Sequence, residues 1–514
     1  MRAREVGDVG VGSWIERRAR VSPERPALIF GNGSRTYREM AARVRRLANG
    51  LRSLGVRPGD RVGWVGPNHP AFLESLFAAG LAGAALVPVN HRLEAATTHR
   101  LLEEVEPSAV ILEGSMGDLS VPSPATVVVD GEGGAGKGIG FETLLASASD
   151  ESIDVRVGFD DLCMIPLTSG TTGSQKGVML SHGNVTWNVV NLLSSADFRH
   201  DDVTIAIAPF FRVGGTGVNV LPVLFMGGTV VVPTSPDPNE ILRLMERHRV
   251  TIGFANPDLL SALSRSDSWG SVDLSSVRLV VTGGAPVPER LIRTFLDRGV
   301  RLLQGYGLSE AGPVVSVVDP AEALAKVGAA GKPALLVEAR VAGPDGRDLA
   351  RGETGELLVR GPNVMVGYWK HPDATRAVFD PEGWLRTGDA ARMDGDGDIW
   401  IVDRYGDRYE TAGGVVFPGD VERCLLSHPA VVDAGVVGLP DERGGAAFVV
   451  LADGATVTVE ELFALCRQRL AEHQVPSSIV FVDALPRSSV GKLVRQDLRA
   501  LAVQAPSPGS PSRT

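Results

Sequence analysis

Thr168-Ser169-Gly170-Thr171-Thr172-Gly173-Ser174-Gln175-Lys176-Gly177 follows directly on an apolar run, Leu162 to Leu167. Glycines let backbone N–H groups turn toward a ligand, serine and threonine hydroxyls add donors, and Lys176 adds a positive charge. Together they make an anion cradle suited to a triphosphate. The spacing is not the G-x-x-x-x-G-K-[ST] of the Walker loop, so ordinary P-loop chemistry is not implied. The same composition also suits a polar surface turn, and the surrounding sequence has to separate the two.

Outward from this stretch the chain alternates strand and helix patterns. Arg61-Val62-Gly63-Trp64-Val65 reads as a strand, Ala71 to Gly83 as a helix, Ala84 to Val89 as a strand, Thr97 to Glu104 as a helix and Ser108 to Leu112 as a strand. The rhythm returns downstream with strand Val203–Ile207, helix Val218–Phe225, strand Thr229–Val232, helix Pro238–Arg247 and strand Ile252–Ala255. Alternation of this kind predicts largely parallel sheets covered by helices. From 328 to 403 short strands separated by Gly-Pro, Asp-Gly and Glu-Gly turns replace it, an all-β pattern. After Arg404 small α+β units follow, with Pro418–Leu426, strand Ala434–Val437 and helix Val459–Ala471.

Composition excludes several classes of function. A chain of 514 residues is too long for one ordinary core, so at least two domains are expected. Hydrophobic content of 44% with 22% charged residues predicts a soluble globular protein, and a net charge of −10 argues against a nucleic-acid surface. Cys163, Cys424 and Cys466 are too scattered for a metal quartet or a disulfide framework, which points to the cytoplasm. The apolar stretch Ala71–Val89 contains Glu74, Gly80, Gly83 and Pro88 and reads as a buried helix running into a strand, not a membrane span. Met1 to Trp14 lacks the apolar core of a signal peptide.

Two motifs are decoys. Gly131-Glu132-Gly133-Gly134-Ala135-Gly136-Lys137 satisfies G-x-x-x-x-G-K but continues with Gly138, so the magnesium-binding hydroxyl is missing, and no helix is expected close behind it. Asp394, Asp396 and Asp398 alternate like calcium ligands, yet Ile399 stands where the loop needs glycine and Tyr405 where it needs glutamate, so a tight turn is expected. His182, His248 and His473 are isolated and read as surface or packing residues.

Five further segments stand in fixed order behind the opening stretch. They are Gly283-Gly284-Ala285-Pro286, Gln304-Gly305-Tyr306-Gly307-Leu308-Ser309-Glu310, Gly361 to Trp369, Gly383-Trp384-Leu385-Arg386-Thr387-Gly388-Asp389, and Leu485-Pro486-Arg487 through Gly491-Lys492. Over residues 12–500 the chain thereby resembles the adenylate-forming superfamily, and within it the bacterial fatty-acyl and aryl-CoA ligases. The resemblance implies an α/β fold: an N-terminal domain, 1–403, with βαβ-type sheets and a β-barrel-like subdomain at 328–403. A hinge at 404–407, a small mobile α+β domain at 408–502 and a disordered tail at 503–514 complete the expected organisation.

The resemblance also implies the chemistry: ATP-dependent activation of a carboxylic acid as an acyl or aryl adenylate, release of pyrophosphate, and transfer to CoA. Thr168, Ser169, Gly170, Thr171, Thr172, Gly173 and Lys176 would hold the phosphates, with Glu310 as the Mg2+ carboxylate and Ser309, where the family usually has threonine, as a phosphate donor. Tyr306 would stack on adenine, framed by Gln304, Gly305 and Gly307 and walled by Gly283, Gly284, Ala285 and Pro286. Asp389, assisted by Arg404, would accept from the ribose. Lys492 matches the lysine that bridges carboxylate and α-phosphate, a compact charge suited to two anions. Thr168, Ser309, Glu310 and Lys492 form the expected catalytic set. Phe211, Arg212, Gly214, Gly283 and Gly307 would line the acyl pocket.

The chain departs from the family pattern at three places. Gly406 stands at the expected pivot, where the family has Asp or Lys, which gives wide backbone freedom without a side chain to hold either state. Tyr409 to Gly414 differs from the usual Ile-Ile-Ser-Gly-Gly-Glu, and Pro440–Phe448 is shorter than usual. These leave open an adenylating enzyme with another acceptor: an amine, a carrier protein, or an aryl amine in a nitrite-activating branch. Arg212 replaces the usual histidine at the pocket mouth and suits an anionic or strongly polar group on the substrate. A solvent-facing or locally paired arginine is the alternative.

Overall fold

The computed structural model describes residues 8–116, 119–130, 138–169, 175–285, 287–439, 444–487 and 493–504. Two compact units emerge: one from Met1–Ala339, Val359–Leu385 and Gly397–Ile399, the other from Arg340–Leu358, Arg386–Asp396 and Trp400–Thr514.

The first unit is built on two nine-stranded sheets. One runs Lys332–Pro333, Val314–Val317, Arg301–Gly307, Leu279–Thr282, Ile252–Ala255, Val203–Ile205, Thr229–Val232, Pro26–Phe30 and Gly33–Thr36. Its six central strands, Arg301–Gly307 through Pro26–Phe30, pair parallel. Helices cover such strands on both faces, so Leu279–Thr282 and Thr229–Val232 are buried along their whole length. The other sheet runs Gly367–Tyr368, Gln175–Ser181, Leu162–Met164, Ala85–Val89, Arg61–Val65, Ala109–Glu113, Thr126–Val129 and Ile139–Gly140, with Leu167–Ser169 pairing beside Gln175–Ser181.

Local chemistry sets the helices. Pro238–Arg247 starts with proline in its first turn behind Asp237, whose side chain accepts from the Asn239 N–H, and it buries Ile241, Leu242 and Met245 against the sheet. Each such side chain contributes about 1.5–3 kcal/mol on burial. Helix His182–Ser195 is opened by a reciprocal cap: Ser181 Oγ accepts from the Asn184 N–H at 3.1 Å, and Asn184 Oδ1 accepts from the Ser181 N–H at 2.9 Å.

The second unit holds the three-stranded sheet Val431–Gly438, Gly445–Leu451 and Ser478–Phe481. Helices Pro418–Leu426 and Val459–Arg469 close its core around Val421, Leu425, Val436, Val449 and Leu462. Cys163, Cys424 and Cys466 are all free and buried. Among the described residues no helix is long and apolar enough to cross a membrane.

Five regions differ from the sequence expectation. The strand from Val203 ends at Ile205, and two short helices, Val213–Gly217 and Val220–Met226, stand where one was expected. Asn219 breaks the run: its Nδ2 donates to Thr204 Oγ1 at 2.7 Å, holding the backbone outside the helical region. Helix Val459–Arg469 ends two residues early because Leu470 is extended. A helix, Phe141–Ser147, does follow the Gly131–Lys137 decoy, after the short strand Ile139–Gly140, contrary to expectation; the decoy itself lies outside the described residues. Within 328–403 one helix, Pro372–Val378, joins the strands.

Candidate active site

The opening stretch forms the two arms of a hairpin in the first unit. Ser169 faces Gln175, Thr168 faces Lys176 and Leu167 faces Gly177, and Thr168 Oγ1 donates to the Lys176 carbonyl at 3.3 Å. Gly170, Thr171, Thr172 and Gly173, which connect the arms, lie outside the described residues. On its other edge the second arm pairs antiparallel with Gly367–Tyr368, Val178 facing Tyr368. Gly177 is glycine because of crowding: a Cβ there would meet Ile165 Cγ2 at 2.7 Å and Trp369 Cβ at 3.2 Å.

That pairing brings Tyr368 between two of the expected site residues. Lys176 Nζ stands 5.3 Å from the centroid of the Tyr368 ring, and the Tyr368 hydroxyl donates to Glu310 Oε1 at 2.8 Å. Burial pushes the Tyr368 phenol well above its ordinary pKa, with Glu310 adding to the shift, so the phenol stays a donor. Glu310 lies in the single turn Ser309–Ala311, and its carbonyl accepts from the Met365 N–H at 2.8 Å. Tyr368 occupies one carboxylate oxygen, and among the described residues Glu310 has no cationic partner. A half-buried carboxylate with one oxygen unclaimed fits a hard cation that takes its remaining ligands from phosphates and water. The Ser309 hydroxyl makes no hydrogen bond to a described residue.

The expected adenine walls lie at the C-terminal ends of two adjacent parallel strands, the usual place for a ligand in an open α/β sheet. Gly283, Gly284 and Ala285 follow Leu279–Thr282, and Gln304 to Gly307 end Arg301–Gly307. A Cβ on Gly283 would lie 2.6 Å from the Gly305 carbonyl, and one on Gly307 would collide with the Pro313 carbonyl. Gly284 adopts φ +84°, which favours glycine. Tyr306 is half-buried and faces Ser316. Thr282 and Gln304 face each other in register, and Thr282 Oγ1 and Gln304 Oε1 are both buried without a hydrogen-bond partner. Pro286 lies outside the described residues.

Of the expected acyl-pocket residues, Phe211, Arg212 and Gly214 follow strand Val203–Ile205, while Gly283 and Gly307 belong to the two strand ends just described. Phe211 packs edge-on against His91, ring centroids 5.8 Å apart, and a Cβ on Gly214 would sit 3.4 Å from the Phe254 ring. Arg212 has no hydrogen-bond or ion-pair partner for its guanidinium among the described residues. Although Arg212 is exposed as a residue, desolvation lowers its pKa first and the nearby charge of Arg92 second. His91 Nδ1 is buried and unpartnered, and burial followed by Arg92 lowers the pKa of this imidazole. The neighbourhood is aromatic and largely positive: Glu113 acts on His91, but no described acid pairs with Arg212.

In the second unit Asp389 pairs with Arg404 at 3.0 Å, and the Asp389 N–H donates to Thr387 Oγ1 at 3.1 Å. Gly406 lies in the turn Tyr405–Asp407, where a Cβ would meet nothing within 4 Å, so a side chain would fit. Carboxylates on both sides of Gly406 converge on Arg495, which pairs with Asp403 at 3.2 Å, Asp407 at 3.1 Å and Glu422 at 2.6 Å. Lys492 lies outside the described residues, as do Pro440–Arg443.

Besides Tyr368, sequence reasoning missed a row of buried asparagines. Asn363 Nδ2 donates to the carbonyls of Ala311 at 2.6 Å and Val314 at 3.0 Å, stapling the turn that carries Glu310. On helix His182–Ser195, Asn184 donates to Pro362 and Val364, Asn188 donates to Gly217 and accepts from the Val314 N–H, and Asn191 accepts from the Leu336 N–H. The spacing i, i+4, i+7 was the available signal. His182, expected at the surface or in packing, is fully buried.

Residues 15–369 match the family model of the AMP-binding enzyme, and residues 420–492 match the AMP-binding enzyme C-terminal domain. A feruloyl-CoA synthase of Amycolatopsis sp. is 44% identical over 499 residues, covering 95% of this chain and 98% of that protein. An indoleacetate–CoA ligase of Aromatoleum aromaticum is 36% identical, covering 96% and 98%. Among solved structures, the anthranilate CoA ligase AuaEII in complex with anthranoyl-AMP superposes with a TM-score of 0.87 at 26% identity, covering 98% of this chain and 99% of that one. The O-succinylbenzoate CoA synthetase MenE from Bacillus subtilis, in complex with AMP, does so with a TM-score of 0.81 at 30% identity, covering 95% and 98%. The AMP-binding match alone spans more than half of the sequence, and the chain belongs to the AMP-binding enzyme family.

Proposed function

We propose that this protein activates an aromatic carboxylic acid of the ferulate kind and transfers it to CoA. It is an ATP-dependent, AMP-forming acid–CoA ligase, and the observation that carries this reading is the Lys176–Tyr368–Glu310 array beside the phosphate hairpin. The relatives named for aryl acids and the Phe211, His91 and Phe254 surroundings of the pocket segment support an aromatic substrate.

A carboxylate attacking the α-phosphate of ATP is an encounter of two anions, so the protein must neutralise charge and hold the attack in line. The Thr168–Gly177 hairpin holds the β- and γ-phosphates, with Lys176 adding its charge and Ser309 its hydroxyl. Glu310 would hold Mg2+, which when bound neutralises phosphate oxygens. Tyr306 stacks on adenine against Gly283–Ala285, and Thr282 and Gln304 supply unpaired polar atoms next to that wall. Asp389, oriented by Arg404, accepts from the ribose hydroxyls. Lys492 donates to the attacking carboxylate and the α-phosphate. Its compact charge acts most strongly as negative charge builds between them. Residues 1–403 then act as the adenylating domain, 404–407 as a hinge pivoting at Gly406 and 408–502 as the mobile domain, in a cytoplasmic enzyme with free thiols.

The test is pyrophosphate release and thioester formation with a ferulate-type acid, an indole acid, a long-chain fatty acid, and nitrite with an aryl amine, each with and without CoA. The expected result is ATP-dependent aryl-CoA formation that exceeds fatty-acyl-CoA formation. Adenylate consumption indifferent to CoA, or turnover only with nitrite and amine, overturns it.

A further inference from the structure

Tyr368 touches both charged partners of the phosphate site by different parts of one side chain. Its hydroxyl donates to Glu310 Oε1 at 2.8 Å, and its ring face lies 5.3 Å from Lys176 Nζ. The residue is held in place independently of either contact. Its backbone pairs with Val178, its N–H donates to Thr375 Oγ1 at 2.9 Å, and the next N–H, of Trp369, donates to Gly177 at 2.8 Å. At 9% exposure it has little room to turn. Among the described residues Glu310 has no other side-chain partner and Lys176 has no acid.

A carboxylate free to rotate presents either oxygen to a cation, whereas one fixed by a phenol presents one. An ammonium on four methylenes wanders unless something attracts it, and an aromatic face does so without neutralising its charge. We propose that Tyr368 is a positioning residue that sets Glu310 toward the metal through its hydroxyl and keeps Lys176 beside the phosphates through its ring. The inference rests on reading Glu310 as the metal carboxylate, and the two can fail separately.

The experiment uses Tyr368→Phe, which keeps the ring and removes the hydroxyl, with Tyr368→Leu, which removes both, and Glu310→Gln as reference. Mn2+ binding is read by electron paramagnetic resonance in the presence of α,β-methylene-ATP, and metal-free nucleotide binding by fluorescence titration of a labelled ATP in EDTA. Tyr368→Phe is expected to weaken Mn2+ binding about tenfold and leave metal-free nucleotide affinity within about twofold, as loss of one hydrogen bond to a charged group predicts. Tyr368→Leu is expected to weaken both, by severalfold for the nucleotide. Wild-type Mn2+ affinity in Tyr368→Phe, while Glu310→Gln loses it, overturns the proposal and leaves Glu310 its role. Wild-type affinity in Glu310→Gln overturns the reading beneath it. Equal loss of metal-free nucleotide binding in the Phe and Leu variants overturns the division between hydroxyl and ring.

Discussion

A guanidinium with no acid beside it is half of an ion pair, and Arg212 is in that position among the described residues. Arg92 adds a second positive charge nearby, and the half-buried His91 has an unpartnered Nδ1, so no described acid pairs with the guanidinium. A polar or anionic group on the substrate would. Arg212→Ala should then lower kcat/KM for aryl acids bearing such a group by about 10- to 100-fold, the scale of one charge-assisted hydrogen bond. The same variant should change plain aryl or fatty acids by less than about threefold. Parallel steady-state kinetics on paired substrates check this, and equal losses for both would place Arg212 outside recognition. The departure at Arg212 was legible in the sequence because the surrounding motif fixed its position. Its company was not: Arg92 and His91 stand over a hundred residues away, and packing of Phe211 on His91 brings the two segments together.

Helix His182–Ser195 shows why elements are easier to read than what they do. Period and caps locate helices and strands, so Arg61–Val65, Pro238–Arg247 and Pro418–Leu426 stand where the pattern put them. Asparagine on a helix ordinarily signals a solvated face. Here Asn184, Asn188 and Asn191 are buried, because segments distant in sequence deliver unpaired backbone groups to that face. The two short helices at 213–226 were illegible for the same reason, since the Asn219–Thr204 bond that separates them is a tertiary contact. Asn188→Ala should strand the Gly217 carbonyl and the Val314 N–H in the interior, at about 1–3 kcal/mol for each buried group left unpaired. Equilibrium urea unfolding should record a total loss of roughly 2–5 kcal/mol, and adenylation should fall because Val314 adjoins the Glu310 turn. A loss below about 0.5 kcal/mol, typical of a surface position, would mean that the ladder is ornamental.

At the scale of the whole molecule, the two family segments and the alternation of strand and helix made the architecture legible, whereas burial of single titratable groups was not. His182 was read only as a surface or packing residue; it is buried at the head of its helix, with Nδ1 accepting from the Val11 N–H at 3.0 Å. That bond fastens the first described residues into the interior, where a Cβ on Gly12 would already meet the Gly80 carbonyl carbon at 2.6 Å. Nδ1 must be unprotonated to accept, and desolvation lowers the pKa of this imidazole from 6.5 to about 4, opposed weakly by Asp161. The folded state therefore resists a proton that the unfolded chain takes readily, so the stabilisation is complete above about pH 6.5 and is lost as pH falls toward 4. From about pH 7 to about pH 5 the loss attributable to this one group is roughly 2 kcal/mol. His182→Gln keeps an acceptor for Val11 and cannot titrate. Urea unfolding followed by tryptophan emission, to which the buried Trp14 and Trp64 of the same unit contribute, should give wild type the steeper fall in stability over that interval. A lower stability of the variant at neutral pH leaves the difference in slope unchanged. Parallel slopes would mean that His182 takes its proton in the folded state as easily as in the unfolded one, and that the Val11 bond does not depend on a neutral imidazole.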